Sequence, residues 1–353
     1  MDDISLIRKL SNCAGTSGFE DEVLLIAREY LKGAATFEED SMRNLYIYPK
    51  YNKGNRPVVM LDAHSDEVGF MVQAIKPDGT LRFVTIGYWN EKSLPGLKVK
   101  VRTKTGYITG VIGAQPPHLM SAEQRNAPLA VSSMFIDVGA TSAEEAQNCG
   151  VEVGAPAVPA TEFEYDKPRG LFFGKAFDDR LGVAALLKVI KELEKTPLNV
   201  DIAGVISSQE EVGDRGIKAV MHRVKADAAI CIEGCPADDT SAPPYMVQDA
   251  LHGGIMLRHV DATVICTPRF NKFAAEVAEK AGVKIQFAVR SGGGNNGAYI
   301  VSANGGTPVI VAGLPVRYIH SGNCIAAEDD FYSAVKLCAK LCESLGEEVI
   351  KGF

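Results

Sequence analysis

Four apolar runs limit what this chain can fold into: "VVML" at 58–61, "DIAGVI" at 201–206, "AAICI" at 228–232 and "PVIVAG" at 308–313. Each has the length of a strand, and a run that is apolar throughout suits a sheet covered on both faces. Helical stretches alternate with them. In "LGVAALLKVIKELEK", Leu186, Val189, Ile190 and Leu193 recur at core-facing spacings. "GIKAVMHRV", "NKFAAEVAEKAG" with its C-cap Gly282, and "DDFYSAVKLCAKLCESLG" follow the same rule. At the other end, "ISLIRKLSNCAGTSGFEDEVLLIAREYLKGA" reads as two helices broken by "AGTSG", and "SMRNLYIYPK" as a strand. Alternation of this kind predicts an α/β fold with three layers, a mostly parallel central sheet between helices.

One segment breaks the rhythm. "FMVQAIKPDGTLRFVTIG", "LKVKVRTKTGYITGVIG", "SSMFIDVGA" and "PAVPATEFEY" are short strand-like runs separated by turn signals. A single short helix is expected in "TSAEEAQNCG". The prediction is a discontinuous α/β domain, 1–67 and 166–353, interrupted over 68–165 by a small β-barrel or sandwich. With 353 residues there is room for both.

Composition narrows the partners. The net charge of −7 comes without any basic block, which argues against nucleic acid. No apolar run approaches the ~20 residues that cross a bilayer. "MDDISLIRKL" lacks the basic start and apolar centre of a signal peptide, so a cytoplasmic protein is expected. The eight cysteines are scattered; Cys231 and Cys235, like Cys338 and Cys342, lie four apart, without CxxC spacing or a neighbouring His. They are expected to be free thiols.

In open α/β sheets ligands bind beyond the carboxyl ends of the strands. After the first apolar run come His64 and Asp66; after the second, Glu210 and Glu211; after the third, Glu233; after the fourth, "LPVRYIHSG" delivers His320. "GKAFDDRLG" adds Asp178 and Asp179 at a helix start. Each has an ordinary alternative: the aspartates as a helix cap, the glutamates as a solvated loop, each His as a structural residue. Their common placement at strand ends favours one rim. Carboxylates so close repel unless they are protonated or bridged by cations. A mixed His and carboxylate set suits zinc, cobalt or manganese, and the number of groups suggests two ions sharing a water. His118, His222, His252 and His259 lack this placement and read as structural or surface residues.

The stretches "SGFEDEV", "LDAHSDEVGFMV", "IGAQPPHLM", "IDVGATSAEEA", "GKAFDDRLG", "SSQEEVGDRG" and "VRYIHS", in this order, resemble the co-catalytic metallo-aminopeptidases. That family includes the glutamyl and deblocking aminopeptidases and the tetrahedral dodecameric peptidases, and some members carry an endoglucanase label. The resemblance implies a zinc-exopeptidase-like fold and a β-rich insertion that helps assemble subunits. It implies two divalent ions, zinc or cobalt with manganese as a third option. His64, Asp178 and Glu233 would hold one, and Asp178, Glu211 and His320 the other. Glu210 would be the general base for the bridging water. Asp66 would orient His64, and a cis peptide would follow Asp178. The implied activity is removal of N-terminal residues from short peptides by a homo-oligomer, a dodecamer or its dimeric unit.

The chain departs from the family twice. Glu233 stands where the family has Asp, one methylene or ~1.5 Å longer, and Asp238 and Asp239 are near enough in sequence to compete as ligands. In "SGGGNNGAYI", Asn295 or Asn296 replaces an Asp expected near the substrate. These departures keep other readings open: a metal-dependent hydrolase of another amide, or a non-catalytic oligomer with a degraded metal site. The endoglucanase label fits poorly, since glycosidases normally use a carboxylate pair without metal.

Overall fold

The computed structural model describes residues 1–123 and 129–353. The helices Asp3–Asn12 and Asp21–Tyr30 open the chain, followed by strands β1 (Ala35–Glu39), β2 (Leu45–Pro49) and β3 (Val58–His64). Then come β4 (Gly69–Ile75), β5 (Leu81–Ile86), β6 (Lys98–Thr103), β7 (Gly106–Gly113), β8 (Phe135–Asp137) and β9 (Pro156–Pro159). The chain returns through β10 (Glu164–Asp166) and β11 (Leu171–Gly174) to β12 (Asp201–Ser207) and β13 (Ala228–Pro236). It ends with β14 (Ile255–Val260), β15 (Ile285–Val289), β16 (Val309–Val316), β17 (Cys324–Ala327) and the helices Glu328–Ser344 and Glu347–Ile350.

The large sheet has eight strands in the order β1-β2-β12-β3-β13-β16-β14-β15. Its centre, β12-β3-β13-β16, is parallel throughout. β2 joins β12, and β14 joins β16, in antiparallel fashion. Every residue of β12 and β16 is buried, as an uninterrupted apolar run requires. Alternate side chains of each strand enter different cores. Leu61, Ile230 and Ile310 pack with Leu6, Leu186 and Leu337 from helices on one face. Met60, Ala229 and Val311 pack on the other with Ile217 and Val220 of the helix Arg215–Arg223. This is the three-layer arrangement expected. The helix Pro268–Ala281 begins with Pro in its first turn and ends at Gly282 in the left-handed conformation (φ 61°), the predicted C-cap.

The interrupting segment settles as a barrel, not a sandwich: β4-β5-β8-β7-β6-β9 close on themselves around Phe70, Val72, Phe83, Val99 and Ile136. Closure leaves no open sheet edge. The run "PAVPATEFEY" is divided. Pro156–Pro159 completes the barrel, while Glu164–Asp166 pairs with β11, which pairs with β17 in a separate three-stranded sheet. The short helix Ala143–Asn148 forms as expected, capped by the Ser142 side chain. The eight cysteines are free. Among the described residues, no helix is long and apolar enough to cross a membrane.

Candidate metal centre

The carboxyl ends of the parallel strands form one rim. β3 ends on His64, in register with Ser207 of β12, and Glu210 and Glu211 follow just beyond the end of β12. Glu233 lies near the end of β13, beside Gly313 of β16, and β16 leads on to His320. Asp178 reaches the same place from the start of the helix Phe177–Glu192, through a cis peptide to Asp179. Gly234 makes room for it: a Cβ there would stand 2.6 Å from Asp178 Cα.

Asp178 is shared by both histidines. Its Oδ1 lies 2.9 Å from His64 Nε2 and its Oδ2 lies 3.1 Å from His320 Nε2. Glu233 Oε1 approaches the same His64 nitrogen at 3.2 Å, and Glu211 Oε2 approaches the same His320 nitrogen at 3.3 Å. Two clusters result, His64–Asp178–Glu233 and Asp178–Glu211–His320, joined through one carboxylate. His64, Asp178 and Glu211 each offer a ligand atom within 4.8 Å of the others.

The electrostatics of the centre show how much positive charge it demands. Burial, reinforced by the Asp178 carboxylate, pushes Glu233 up to about 7. Burial likewise raises Glu210 and Glu211. Against the opposing effect of burial, Glu211 and Asp178 lift His320 to about 11. Hydrogen bonds to Asp178, Asp66 and Glu233 also raise His64 well above its ordinary value against burial. Glu211 Oε1 is buried with no hydrogen-bond partner among the described residues. Crowded carboxylates, two imidazoles facing a common acid and an orphaned ligand oxygen together fit divalent cations.

Asp66 serves more than His64. Its Oδ1 lies 3.4 Å from His64 Nδ1. Its carboxylate also accepts hydrogen bonds from the backbone N–H of Glu210 (2.9 Å) and of Glu211 (3.2 Å), and from Ser17 Oγ (2.6 Å). The N–H of Gln209 donates to Glu20 Oε1 at 3.2 Å. Three successive amides of the "QEE" loop are therefore held by two buried carboxylates, one of them from the N-terminal segment "SGFE". Glu20 is raised to about 7 by burial and by Asp66.

Behind the rim lies a buried ion cluster. Lys175 Nζ donates to both Glu67 oxygens at 2.7 Å and to Cys13 O at 2.9 Å. Arg180 donates to Ser65 O, Leu10 O, Gly15 O and Glu67. Both cations flank Asp178 in sequence and bind the N-terminal segment to the end of β3. Replacing Glu67 by Ala strands two buried cations, so urea unfolding is expected to show a loss of about 3–5 kcal/mol.

The competing ligands are occupied elsewhere. Asp238 accepts from the N–H groups of Gln248 and Asp249 and pairs with Arg290, and Asp239 pairs with Arg317. The expectation for Asn295 and Asn296 is corrected. Both are buried beneath the site rather than facing a substrate. Asn295 donates to Asp261 and Asn296 to Asp62 and Ser207, each amide satisfying a buried acceptor. The four other histidines lie apart: His252 pairs with Asp329, His259 stacks on Phe287, and His118 and His222 are exposed.

The centre opens into a cleft of ≈ 710 Å³. The loop Gly292–Gly294, part of "SGGGNNGAYI", lines it, as do residues that the sequence reading passed over, chiefly Arg258, Arg290, Asp214 and Tyr88. Arg258 could have been noticed as a charge inside the otherwise apolar "GGIMLRHV". Its guanidinium pairs with Asp261 at 2.9 Å and donates to Cys235 Sγ at 2.9 Å, while its Nε has no partner among the described residues.

Comparison with known proteins shows the family of the chain. The M42 glutamyl aminopeptidase family matches residues 44–337. The glutamyl aminopeptidase of Lactococcus lactis is 33% identical over 351 residues, which is 98% of this chain and 97% of that protein. The crystal structure of a TET aminopeptidase from a marine sediment Thaumarchaeota archaeon superimposes with a TM-score of 0.96 at 34% identity, covering 99% of each chain. The TET1 peptidase of Pyrococcus horikoshii, which can assemble into a tetrahedron or a large octahedral shell, gives a TM-score of 0.87 at 29% identity over 98% of this chain and 100% of that one. By its sequence along almost its whole length and by its fold, this chain belongs to the M42 glutamyl aminopeptidase family.

Proposed function

We propose that this protein is a two-metal aminopeptidase that releases N-terminal residues from short peptides. The observation that carries the reading is the sharing of Asp178 between His64 Nε2 and His320 Nε2, each with a further glutamate at hand. His64, Asp178 and Glu233 would hold one divalent ion and Asp178, Glu211 and His320 the other, zinc or cobalt before manganese. Bound ions would supply Lewis acidity to the attacking water and to the scissile carbonyl. Glu210 lines the cleft beside Asp214, outside salt-bridge distance of either histidine, and its carboxylate would take the water's proton and return it to the leaving amine. Asp66 would set the position of that base through the amides of Glu210 and Glu211 and steady His64 from behind.

Arg258 and Arg290 line the cleft while paired with Asp261 and Asp238, and the donors those pairs leave over, among them Arg258 Nε, are proposed to accept an acidic side chain on the residue released. The name of the Lactococcus relative, glutamyl aminopeptidase, agrees with that preference, while a Pyrococcus furiosus relative is named lysyl aminopeptidase. Assembly into a homo-oligomer is proposed from the shells formed by the Pyrococcus relative. The interrupting segment 68–165 is proposed to carry part of the subunit contact, since Val84, Val111 and Val153 are exposed on it.

The test is metal content per chain, measured with hydrolysis of an aminoacyl-nitroanilide panel after zinc or cobalt loading. About two ions per chain and fastest release of Glu or Asp are expected. Fewer than one ion with no release of any residue would reject the reading.

A further inference from the structure

The lining of the cleft runs from a buried end to an exposed one. Arg258 and Glu233, 4% and 6% exposed, form the buried, closed end, with Glu233 against His64. Tyr88 sits at the other, its ring centroid 6.4 Å from that of His320. It is 81% exposed, and its hydroxyl has no hydrogen bond among the described residues.

An exposed tyrosine alone means little. This one is presented by a loop whose neighbours Gly87, Trp89 and Asn90 are each held by contacts. Gly87, in the left-handed region at φ 76°, lies so close to the metal centre that a Cβ would stand 2.7 Å from Val68 Cγ1 and 3.3 Å from Glu211 Cβ. Trp89 is buried, stacks on Phe70 at 4.6 Å and donates from Nε1 to Gly69 O at 3.0 Å. Asn90 N–H donates to the carbonyl of His320 at 3.4 Å. The barrel thus holds this backbone against both Glu211 and His320 and leaves one aromatic ring exposed at the cleft, which half-buried Ile319 also lines.

Resting on the aminopeptidase reading, we propose that Tyr88 forms the subsite for the residue that follows the scissile bond and selects an aromatic or large aliphatic side chain there. An exopeptidase must put the N-terminal residue in the closed end and let the rest of the peptide leave by the open one. The second residue then passes Tyr88. A pre-positioned ring gains contact with an apolar side chain at little ordering cost, and glycine at that position forgoes it.

The experiment uses the metal-loaded protein and the tripeptides Glu-Phe-Gly, Glu-Leu-Gly and Glu-Gly-Gly, with a matching series that begins with Leu. In the wild type, kcat/KM for Phe at the second position should exceed that for Gly by about tenfold in whichever series is turned over. Tyr88→Ala should shrink this ratio to below about twofold, whereas Tyr88→Phe should keep it. Equal wild-type rates for Phe and Gly, or an unchanged ratio in Tyr88→Ala, would overturn the assignment. Absence of release from all six peptides would instead reject the aminopeptidase reading itself, and the subsite with it. A preference confined to the first residue leaves the aminopeptidase standing and removes only Tyr88 from it.

Discussion

Glu210→Gln is expected to lower kcat by about 10²–10⁴-fold while metal content stays at the wild-type level. The amide keeps the shape of the side chain and removes only its ability to hold a proton. Glu210 has no histidine within salt-bridge distance, whereas its neighbour Glu211 stands 3.3 Å from His320 Nε2. Glu211→Gln should therefore behave differently, losing metal along with activity. Atomic absorption and steady-state kinetics on the two variants separate a proton carrier from a ligand. If Glu210→Gln lost metal to the same extent as Glu211→Gln, the roles assigned to the pair would be wrong.

Asp178→Ala is expected to be the most damaging single change. It removes the carboxylate that faces both imidazoles, at 2.9 Å and 3.1 Å, from the middle of a buried cluster. Both ion positions should be lost together, with turnover below detection. Breaking a buried charge network in this way costs about 3–5 kcal/mol, which urea unfolding with and without added cobalt would register. The wild type should gain stability from the ion, and the variant should not. Loss of a single ion with the other retained at full occupancy would show that Asp178 does not bridge.

Much of this is legible in the sequence. The four apolar runs become the parallel centre of the sheet, and the polar residues that follow them meet at one rim, because strand direction alone decides where such residues emerge. β14 is harder to see, since Arg258 and His259 interrupt "IMLRHV" and the partner of Arg258, Asp261, lies just beyond the strand's end. β1 reads poorly because "ATFEE" is an edge strand with a half-exposed, acidic pattern. Asn295 and Asn296 were misjudged for a different reason. A glycine-rich stretch says that a loop is present, but not that its last two residues turn inward to satisfy Asp261 and Asp62. Nor does sequence disclose that Asp66 grips the backbone of the Glu210–Glu211 loop, because those hydrogen bonds end on amides, which every residue possesses.

The proposed ligands come from β3, the helix after β11, the loop after β12, β13 and the loop after β16, a spread from His64 to His320. In a zinc finger, the ligands belong to one short motif that an excised peptide can carry. Here no excised peptide could. The affinity for ions is a property of the completed strand order, and a recombinant that preserved every motif but exchanged β13 and β16 would inherit the vocabulary of the site without its grammar.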